Sequence, residues 1–323
     1  MSKLLSIVIP TVGNPNLLRI SLDSLAPQIE RHLDEVELKV SFNSPHQDAV
    51  DMIEDYEKSH SYISHRVFQE RVEIVPSIVR TIELANGKYV LVFGDDDIAY
   101  PYFLEEVLQL LKNKENLSIV HCNVIKGKDH GDGFLRGLSL EYDTFKYYNE
   151  EMPISEFLKK HAISPGFISS FIFSKEAFKK GSSEDYAENK GYGFLMLIYK
   201  GAINTNCVYI SRPLVMQRQP YNRIWLDKWP YYCLIDIPHL MWWIEKHKIA
   251  EGVVEHWKTN ENKSIMKFVY TLLIASAYKN TYKPLCKNIN SYQTSLFRKF
   301  LTYCIIYGVP SFVYPLIRKI MYK

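Results

Sequence analysis

The sequence predicts an α/β fold, a mostly parallel sheet flanked by helices, followed by a helical and basic C-terminal extension. Strand and helix signals alternate through residues 1–125, the order that a parallel sheet with crossover helices requires. The first strand candidate, Leu4–Ile9, is a near-continuous apolar run, as expected of a strand covered on both faces. Charge then separates the chain. Residues 1–261 hold 29 basic and 36 acidic residues, a net of −7, whereas 262–323 hold ten Lys or Arg and no Asp or Glu.

The elements follow from local chemistry. Asn14 suits an N-cap and Pro15 a first helical turn, with Leu18, Leu22 and Leu25 along one stripe. Val36–Phe42 reads as a second strand and Ala49–Lys58 as a second helix. Pro76-Ser77 opens a third helix through Ile78, Ile82 and Ala85, ended by Asn86-Gly87. Tyr89–Phe93 is a central strand that breaks at Gly94 into Asp95-Asp96-Asp97. Pro101 starts a helix carrying Leu104, Val107, Leu108 and Leu111, and Leu117–Ile125 is a further strand.

Beyond residue 126 the alternation loosens. Gly127–Gly137 reads as a loop, Phe167–Phe173 as a strand, Lys175–Lys179 as a short helix and Phe194–Tyr199 as a buried one. Val208–Ile210 and Leu214–Gln217 read as short strands, and from Trp229 onward the chain is helical and aromatic-rich. These shifts predict three segments: 1–125, 126–225 and 226–323.

Composition narrows the class. With 47% hydrophobic and 23% charged residues over 323 positions, the chain is neither disordered nor fibrous. Five scattered cysteines without a CxxC pair argue against a zinc site or a disulfide framework and favour a reducing cytoplasm. The N-terminal apolar run is too short for a signal peptide and ends at Pro10. Lone histidines such as His161 and His239 lack ligand-like spacing and read as structural. No nucleic-acid motif is present, so a nucleic-acid partner is not expected.

The acidic triplet carries the chemistry. It stands where a buried strand leaves the sheet, the edge at which open α/β sheets bind ligands. Three adjacent carboxylates raise each other's pKa, and a divalent cation shared with phosphate oxygens relieves that cost. A solvated acidic turn capping the helix at Pro101 is the plainer alternative.

The surrounding residues resemble glycosyltransferase family 2, nucleotide-sugar enzymes of GT-A (Rossmann-like) fold. Leu5-Ser6-Ile7-Val8-Ile9-Pro10-Thr11 looks like the family's opening strand, and Leu22-Asp23-Ser24-Leu25 is similar to its first helix. Arg80 with Glu83-Leu84-Ala85-Asn86-Gly87-Lys88-Tyr89 matches the lead-in to the acidic motif. Gly94-Asp95-Asp96-Asp97-Ile98 with Pro101 looks like the DxD segment. Residues 167–178 and 208–217 more weakly resemble the acceptor half of capsule and lipopolysaccharide members, abequosyltransferase-like ones among them.

The resemblance implies roles residue by residue. Pro10 and Thr11 would border the nucleotide, Arg80 the diphosphate, and Asp95 the ribose. Asp96 would bind Mn²⁺ or Mg²⁺, with Asp97 beside it in the metal set. Where the family usually has an Asp to read the base, this chain has Phe42 and Asn43, offering a ring to stack and an amide to hydrogen-bond. The donor expected is a nucleotide sugar, UDP-linked first, and transfer would invert the anomeric centre.

The catalytic base is less legible. Glu184-Asp185 is an acidic pair before the helix at Phe194, yet the family register counted back from Lys200-Gly201-Ala202 falls on Lys190-Gly191. Asp185 is the first candidate, with Glu188 and Glu184 as substitutes, and a polar surface loop is the competing description. Arg218 and Arg223 lie in a stretch faintly resembling a Gln-x-x-Arg-Trp segment and could neutralise diphosphate. A non-catalytic nucleotide-sugar or glycan-binding scaffold remains the alternative class. A nucleotidyltransferase is disfavoured, because Thr11-Val12-Gly13-Asn14-Pro15 is not a basic Gly-rich loop.

Phe300–Ile317 is an uncharged run of eighteen residues between Lys299 and Arg318, long enough to raise a spanning helix. Gly308, Pro310 and Pro315 oppose one straight helix. An in-plane segment at an anionic membrane surface, on the inner face of the cell membrane, suits its charge and aromatic content, as would a helical lid. The acceptor expected is a surface polysaccharide or lipid-linked glycan.

Overall fold

The protein is described from a computed structural model over residues 3–129, 135–140, 148–181, 186–187, 189–220, 227–262, 265–293 and 295–315. The chain divides into two units, Met1–Glu188 with Gly193–Tyr221, and Asn189–Tyr192 with Asn222–Lys323.

The first unit carries ten strands among the described residues: β1 (Leu5–Thr11), β2 (Val36–Asn43), β3 (Ile63–Phe68), β4 (Tyr89–Val92), β5 (Ile98–Ala99), β6 (Leu117–Asp129), β7 (Leu135–Leu140), β8 (Asn149–Pro153), β9 (Phe171–Ser174) and β10 (Asn206–Pro220). They form one sheet in the order β3-β2-β1-β4-β9-β6-β10-β5, with β7 beside β6 and β8 beside β10. Seven α-helices among the described residues accompany it: α1 (Pro15–Ile29), α2 (Gln47–Ser59), α3 (Ile74–Glu83), α4 (Phe103–Asn113), α5 (Ile154–His161), α6 (Lys175–Lys180) and α7 (Gly193–Gly201).

The sheet is parallel across β3-β2-β1-β4 and again between β6 and β10. The remaining ladders are antiparallel, so a mostly parallel sheet takes antiparallel strands beside β4 and β6 and at its β10 end. Antiparallel neighbours need no crossover helix, which is why strand–helix alternation stops predicting them after β4.

The first helix matches its local signals. The Asn14 side chain accepts from Leu17 N at 3.2 Å, and Pro15 is the first helical residue. Leu18, Leu22 and Leu25 are buried in one core with Leu5, Ile7 and Ile9 of β1 and Phe103, Leu104 and Val107 of α4. Each such burial contributes about 1.5–3 kcal/mol.

Other expectations move. The third helix begins at Ile74, before Pro76, and β3 and β5 were not anticipated. The segment read as a loop from Gly127 instead continues β6 to Asp129, with β7 at Leu135–Leu140. The division expected at 125/126 therefore falls inside a strand, and residues on both sides share one sheet. The two short strands near 208–217 are one strand, β10, with register irregularities at Ile210/Pro213 and Pro213/Val215. Proline cannot donate to the ladder, and the irregular stretch accommodates it. Helices α6 and α7 approach closely because Gly201 lacks a side chain: a Cβ there would lie 1.8 Å from the Ala177 carbonyl oxygen.

The second unit is helical over its described residues. A turn at Trp229–Tyr231 runs through a π-helical stretch, Tyr232–Asp236, into α8 (Ile237–Lys246). It is followed by α9 (Val253–Asn262), α10 (Ile265–Ala277), α11 (Cys286–Ser291) and α12 (Leu296–Gly308), besides a short turn at Lys279–Tyr282. Its core gathers Leu234, Phe268, Leu272, Tyr282, Ile289 and Ile306, so the basic extension has an apolar centre of its own. Asn189 Nδ2 donates to the Asp236 carbonyl at 2.8 Å. The Asp236 carboxyl is buried, and burial pushes its pKa up to about 7 against the pull of the Gly191 and Lys190 backbone.

Two histidines are buried in the first unit. His121 on β6 donates from Nδ1 to the Ser170 carbonyl at 3.2 Å, and its ring lies 5.7 Å from that of His161. His161 ends α5 and stacks on Tyr209 at 4.4 Å. Burial lowers His121 to about 3, with His161 adding to the effect, and burial lowers His161 to about 4. The unfolded chain thus takes up protons near pH 6.5 that the folded protein refuses. Their stability contribution is complete above that pH and declines as pH falls toward 4, by about 1.4 kcal/mol per unit for each proton. Urea melts at pH 7, 6 and 5 should show a pH slope that His161→Phe reduces by about one proton; an unchanged slope would exclude His161 as a source.

Candidate functional site

The site begins at the C-terminal ends of β1 and β4, adjacent parallel strands. Val8 pairs with Val92, and Phe93 N donates to the Val8 carbonyl at 2.9 Å. The chain leaves β1 toward β2 on one side while β4 lies on the other, so this edge is the reversal of strand order at which open α/β sheets bind ligands. Thr11 and the Asp95-Asp96-Asp97 turn meet there. The Thr11 hydroxyl donates to Asp95 Oδ2 and accepts from Gly13 N at 2.9 Å.

The three carboxylates have different surroundings. Asp97 is 3% exposed and points inward. Its Oδ2 accepts from the Ser169 hydroxyl at 2.5 Å, and its Oδ1 accepts from Arg218 N at 3.3 Å. The same Ser169 oxygen accepts from Gly94 N at 2.7 Å, and Ser21 Oγ donates to the Asp97 carbonyl at 2.8 Å. A Cβ at position 94 would fall 2.6 Å from Asp97 Oδ2, so glycine is needed for this approach. Burial, then the Asp96 charge, holds the Asp97 carboxyl well above the usual range.

Asp95 is raised by burial and drawn back by the Thr11 hydroxyl. Asp96 is half-buried, and burial followed by the Asp95 charge raises it to about 6, with Arg218 opposing. Asp96 is the carboxylate of the three with no bond to another side chain among the described residues.

This sorting bears on a divalent cation. Among the described residues, no group of three or more His, Cys, Asp or Glu is placed to hold a metal unaided. Mg²⁺ and Mn²⁺ commonly rest on one or two carboxylates and complete their shell with substrate phosphate and water. Asp96, with Asp95 beside it, fits that donor set. Asp97 is set apart from these two by its burial and by the hydrogen bond that each of its oxygens accepts from the fold.

The nucleotide-facing expectations are also redistributed. Asn43, at the end of β2, accepts at Oδ1 from Val72 N at 3.0 Å and from Arg80 Nη2 at 2.5 Å. Its Nδ2 donates to the Val72 carbonyl at 2.9 Å. Arg80, from α3, also donates to the Glu70 carbonyl and lies over the Phe68 ring at 4.2 Å. It is therefore anchored beside Asn43. Phe42 was expected to offer its ring to a base, but it is 0% exposed within the apolar core, because alternate residues of β2 face opposite sides. Pro10 is half-buried at the end of β1. Arg218 is buried beside the acidic turn.

Asp185, Glu188, Glu184 and Arg223 lie outside the described residues. Sequence reasoning missed Ser169, which sits in a tight turn before β9 and has no local motif. Its only signal is a polar Ser169-Ser170 pair directly ahead of an apolar strand.

Comparisons with known proteins bear on the family and the fold. The model of the family described as glycosyl transferase family 2 matches residues 6–181, more than half of the chain. Comparison with curated proteins gives no match. Among solved structures, residues 1–349 of S. aureus TarS are similar at a TM-score of 0.54 and 13% identity, covering 98% of this chain and 91% of that one. The same piece of S. aureus TarS in complex with UDP-GlcNAc gives a TM-score of 0.58 at 13% identity, covering 98% and 92%. Its complex with UDP gives 0.51 at 13% identity, covering 98% and 91%. At such identities the likeness shows the fold alone.

Two outcomes follow for the acidic turn. Ser169→Ala strips Asp97 of a donor and Gly94 N of its acceptor, and should cost about 1–3 kcal/mol in urea unfolding; an unchanged midpoint would remove the clamp. Asp96→Asn should act oppositely in the ligand-free protein. A carboxyl raised from 3.8 to about 6 gives stability that is complete below the lower value and lost as pH rises through the upper one. Relieving it should stabilise the protein by on the order of 2 kcal/mol at pH 8 and negligibly at pH 4. Thermal melts at both pH values test the sign.

Proposed function

Because the chain belongs to glycosyl transferase family 2, we propose that it moves one sugar from a nucleoside-diphosphate donor, UDP-linked, to a hydroxyl of a surface-polysaccharide or lipid-linked glycan, with inversion. The observation that carries the reading is the division among the carboxylates. Thr11 and Asp95 are bonded together at the sheet edge, Asp97 is locked into the fold, and Asp96 is left beside them with Arg218 nearby. The structural likeness to a protein crystallised with UDP-GlcNAc and with UDP supports the choice of uridine first.

In this reading Asp96, helped by Asp95, would hold Mn²⁺ or Mg²⁺, whose positive charge supplies Lewis-acid stabilisation to the diphosphate leaving group. The chain's own residues do the rest. Thr11 fixes the orientation of Asp95 toward the ribose. Asn43 offers its amide on the base side, with Arg80 holding its oxygen. Arg218 reduces the negative potential where the diphosphate sits. The acceptor oxygen bonds to the anomeric carbon as the bond to the diphosphate oxygen breaks. Its proton passes to a carboxylate, for which Asp185 is the first candidate and Glu188 the second. The work site proposed is the cytoplasmic face of the cell membrane.

A thermal-shift screen of nucleoside diphosphates with and without Mn²⁺ tests donor and metal together. UDP with Mn²⁺ should give the largest stabilisation, and Asp96→Ala should abolish the Mn²⁺-dependent part. The same variant should lower UDP release from a UDP-sugar by at least about 100-fold. The metal-dependent response should grow as pH rises through about 6, since Asp96 must shed its proton to bind a cation. Full activity of Asp96→Ala in saturating Mn²⁺ would sink the metal assignment. Tight UDP binding without turnover on any acceptor extract would instead identify a binding scaffold.

A further inference from the structure

Helix α12 wears its apolar residues on the wrong side for a soluble helix. Leu296, Phe297, Phe300, Tyr303 and Tyr307 are 81%, 60%, 64%, 48% and 51% exposed, and Phe312 just beyond the helix is 68% exposed. At 100° per residue the five helical positions fall within one arc of about 120°. Arg298, Thr302, Ile305 and Ile306 occupy the opposite side and are buried. Arg298 lies over the Phe268 ring at 4.7 Å, so this cation of the first turn faces inward. The outward arc carries no charge, and Lys299 stands at its border.

The extent is unusual. Taking about 200 Å² for a large side chain, the six exposures amount to roughly 700 Å², above the largest apolar patch of a typical monomer. The residues are aromatic more than aliphatic, the preference of side chains at headgroup depth in a bilayer. The Tyr303 and Tyr307 rings lie 6.0 Å apart, and Lys283 Nζ stands 5.2 Å from the Tyr307 ring.

The charge of the same segment selects the occupant. From 262 to 323 there are ten Lys or Arg and no Asp or Glu. Two copies joined through this face would set those charges against each other. A surface of lipid phosphates meets them with opposite charge while its acyl boundary takes the rings. Among the described residues no helix is long and apolar enough to cross a membrane, so contact is made in the plane.

We propose that the outward face of α12, with Phe312, is a docking surface for an anionic lipid bilayer, on which the helix lies parallel to the membrane. This rests on the membrane location proposed for the enzyme and deepens it, and vesicle binding is read separately from the transfer reaction.

The test is co-sedimentation of the full chain with phosphatidylcholine vesicles, with and without phosphatidylglycerol, at low and high salt. Binding is expected on the anionic vesicles and should weaken with salt. The double variant Phe297→Ser/Phe300→Ser should lower the partition coefficient by about tenfold or more. Its melting temperature and its response to UDP should match the parent, because both side chains are exposed. Lys287→Glu/Lys299→Glu should remove most of the salt-sensitive part. Equal partition of parent and Phe297→Ser/Phe300→Ser, or equal binding to neutral and anionic vesicles, overturns the proposal. A dimer in light scattering that Phe300→Asp turns into a monomer, without vesicle binding, assigns the face to a second copy. Donor release from a soluble acceptor reports on the transfer reaction separately, whatever the vesicles show.

Discussion

Three consecutive carboxylates at the end of a buried strand set the terms for the rest of the first unit. Left alike, they would repel one another and resist ionisation near neutral pH. The fold makes them unlike. Asp95 is tied to Thr11 on the neighbouring strand, and Asp97 is turned inward onto Ser169 and the Arg218 backbone. What remains is one carboxylate, Asp96, with unspent capacity and a raised pKa. The negative charge is destabilising in the ligand-free protein, and the proposed cation would relieve it, a trade of stability for function.

That sorting depends on the mixed sheet. Ser169 reaches the acidic turn because β9 inserts antiparallel between β4 and β6, pairing Tyr89 with Ser174 and Leu91 with Ile172. The turn ahead of β9 is thereby placed beside the end of β4, where one hydroxyl serves both Gly94 N and Asp97. A wholly parallel sheet would bring a strand's other end to that spot. The departure from parallel order is thus part of the site's construction.

The charge asymmetry of the chain has an analogous structural division. The excess of acids belongs to a chain segment that includes the proposed cation site, while the acid-free segment folds around its own apolar centre and leaves an aromatic arc outside. In the second unit the polar exception is inside: Arg298 is buried over Phe268 and Asp236 is buried beside Gly191, with burial raising its carboxyl toward neutrality.

By itself the sequence determined the first strand, the Asn14-capped helix, the strand entering the acidic turn and the separation of charge. Each of these is written in contiguous residues: an apolar run, a capping side chain, a Gly before three acids, a stretch without carboxylates. It also led to the family, since those motifs stand in one order along the chain. The tertiary structure alone decided which carboxylate is available, because Asp97 and Asp96 are neighbours in sequence and differ only in what lies across from them. It decided that Phe42 is core while Asn43 is bound to Val72 and Arg80, a matter of strand register. It decided that Phe300, Tyr303 and Tyr307 of the run after Lys299 face outward while Ile305, Ile306 and Tyr314 are buried. The ten basic residues were countable from the first reading; which side of α12 is buried depended on long-range packing against α10, which no local pattern encodes.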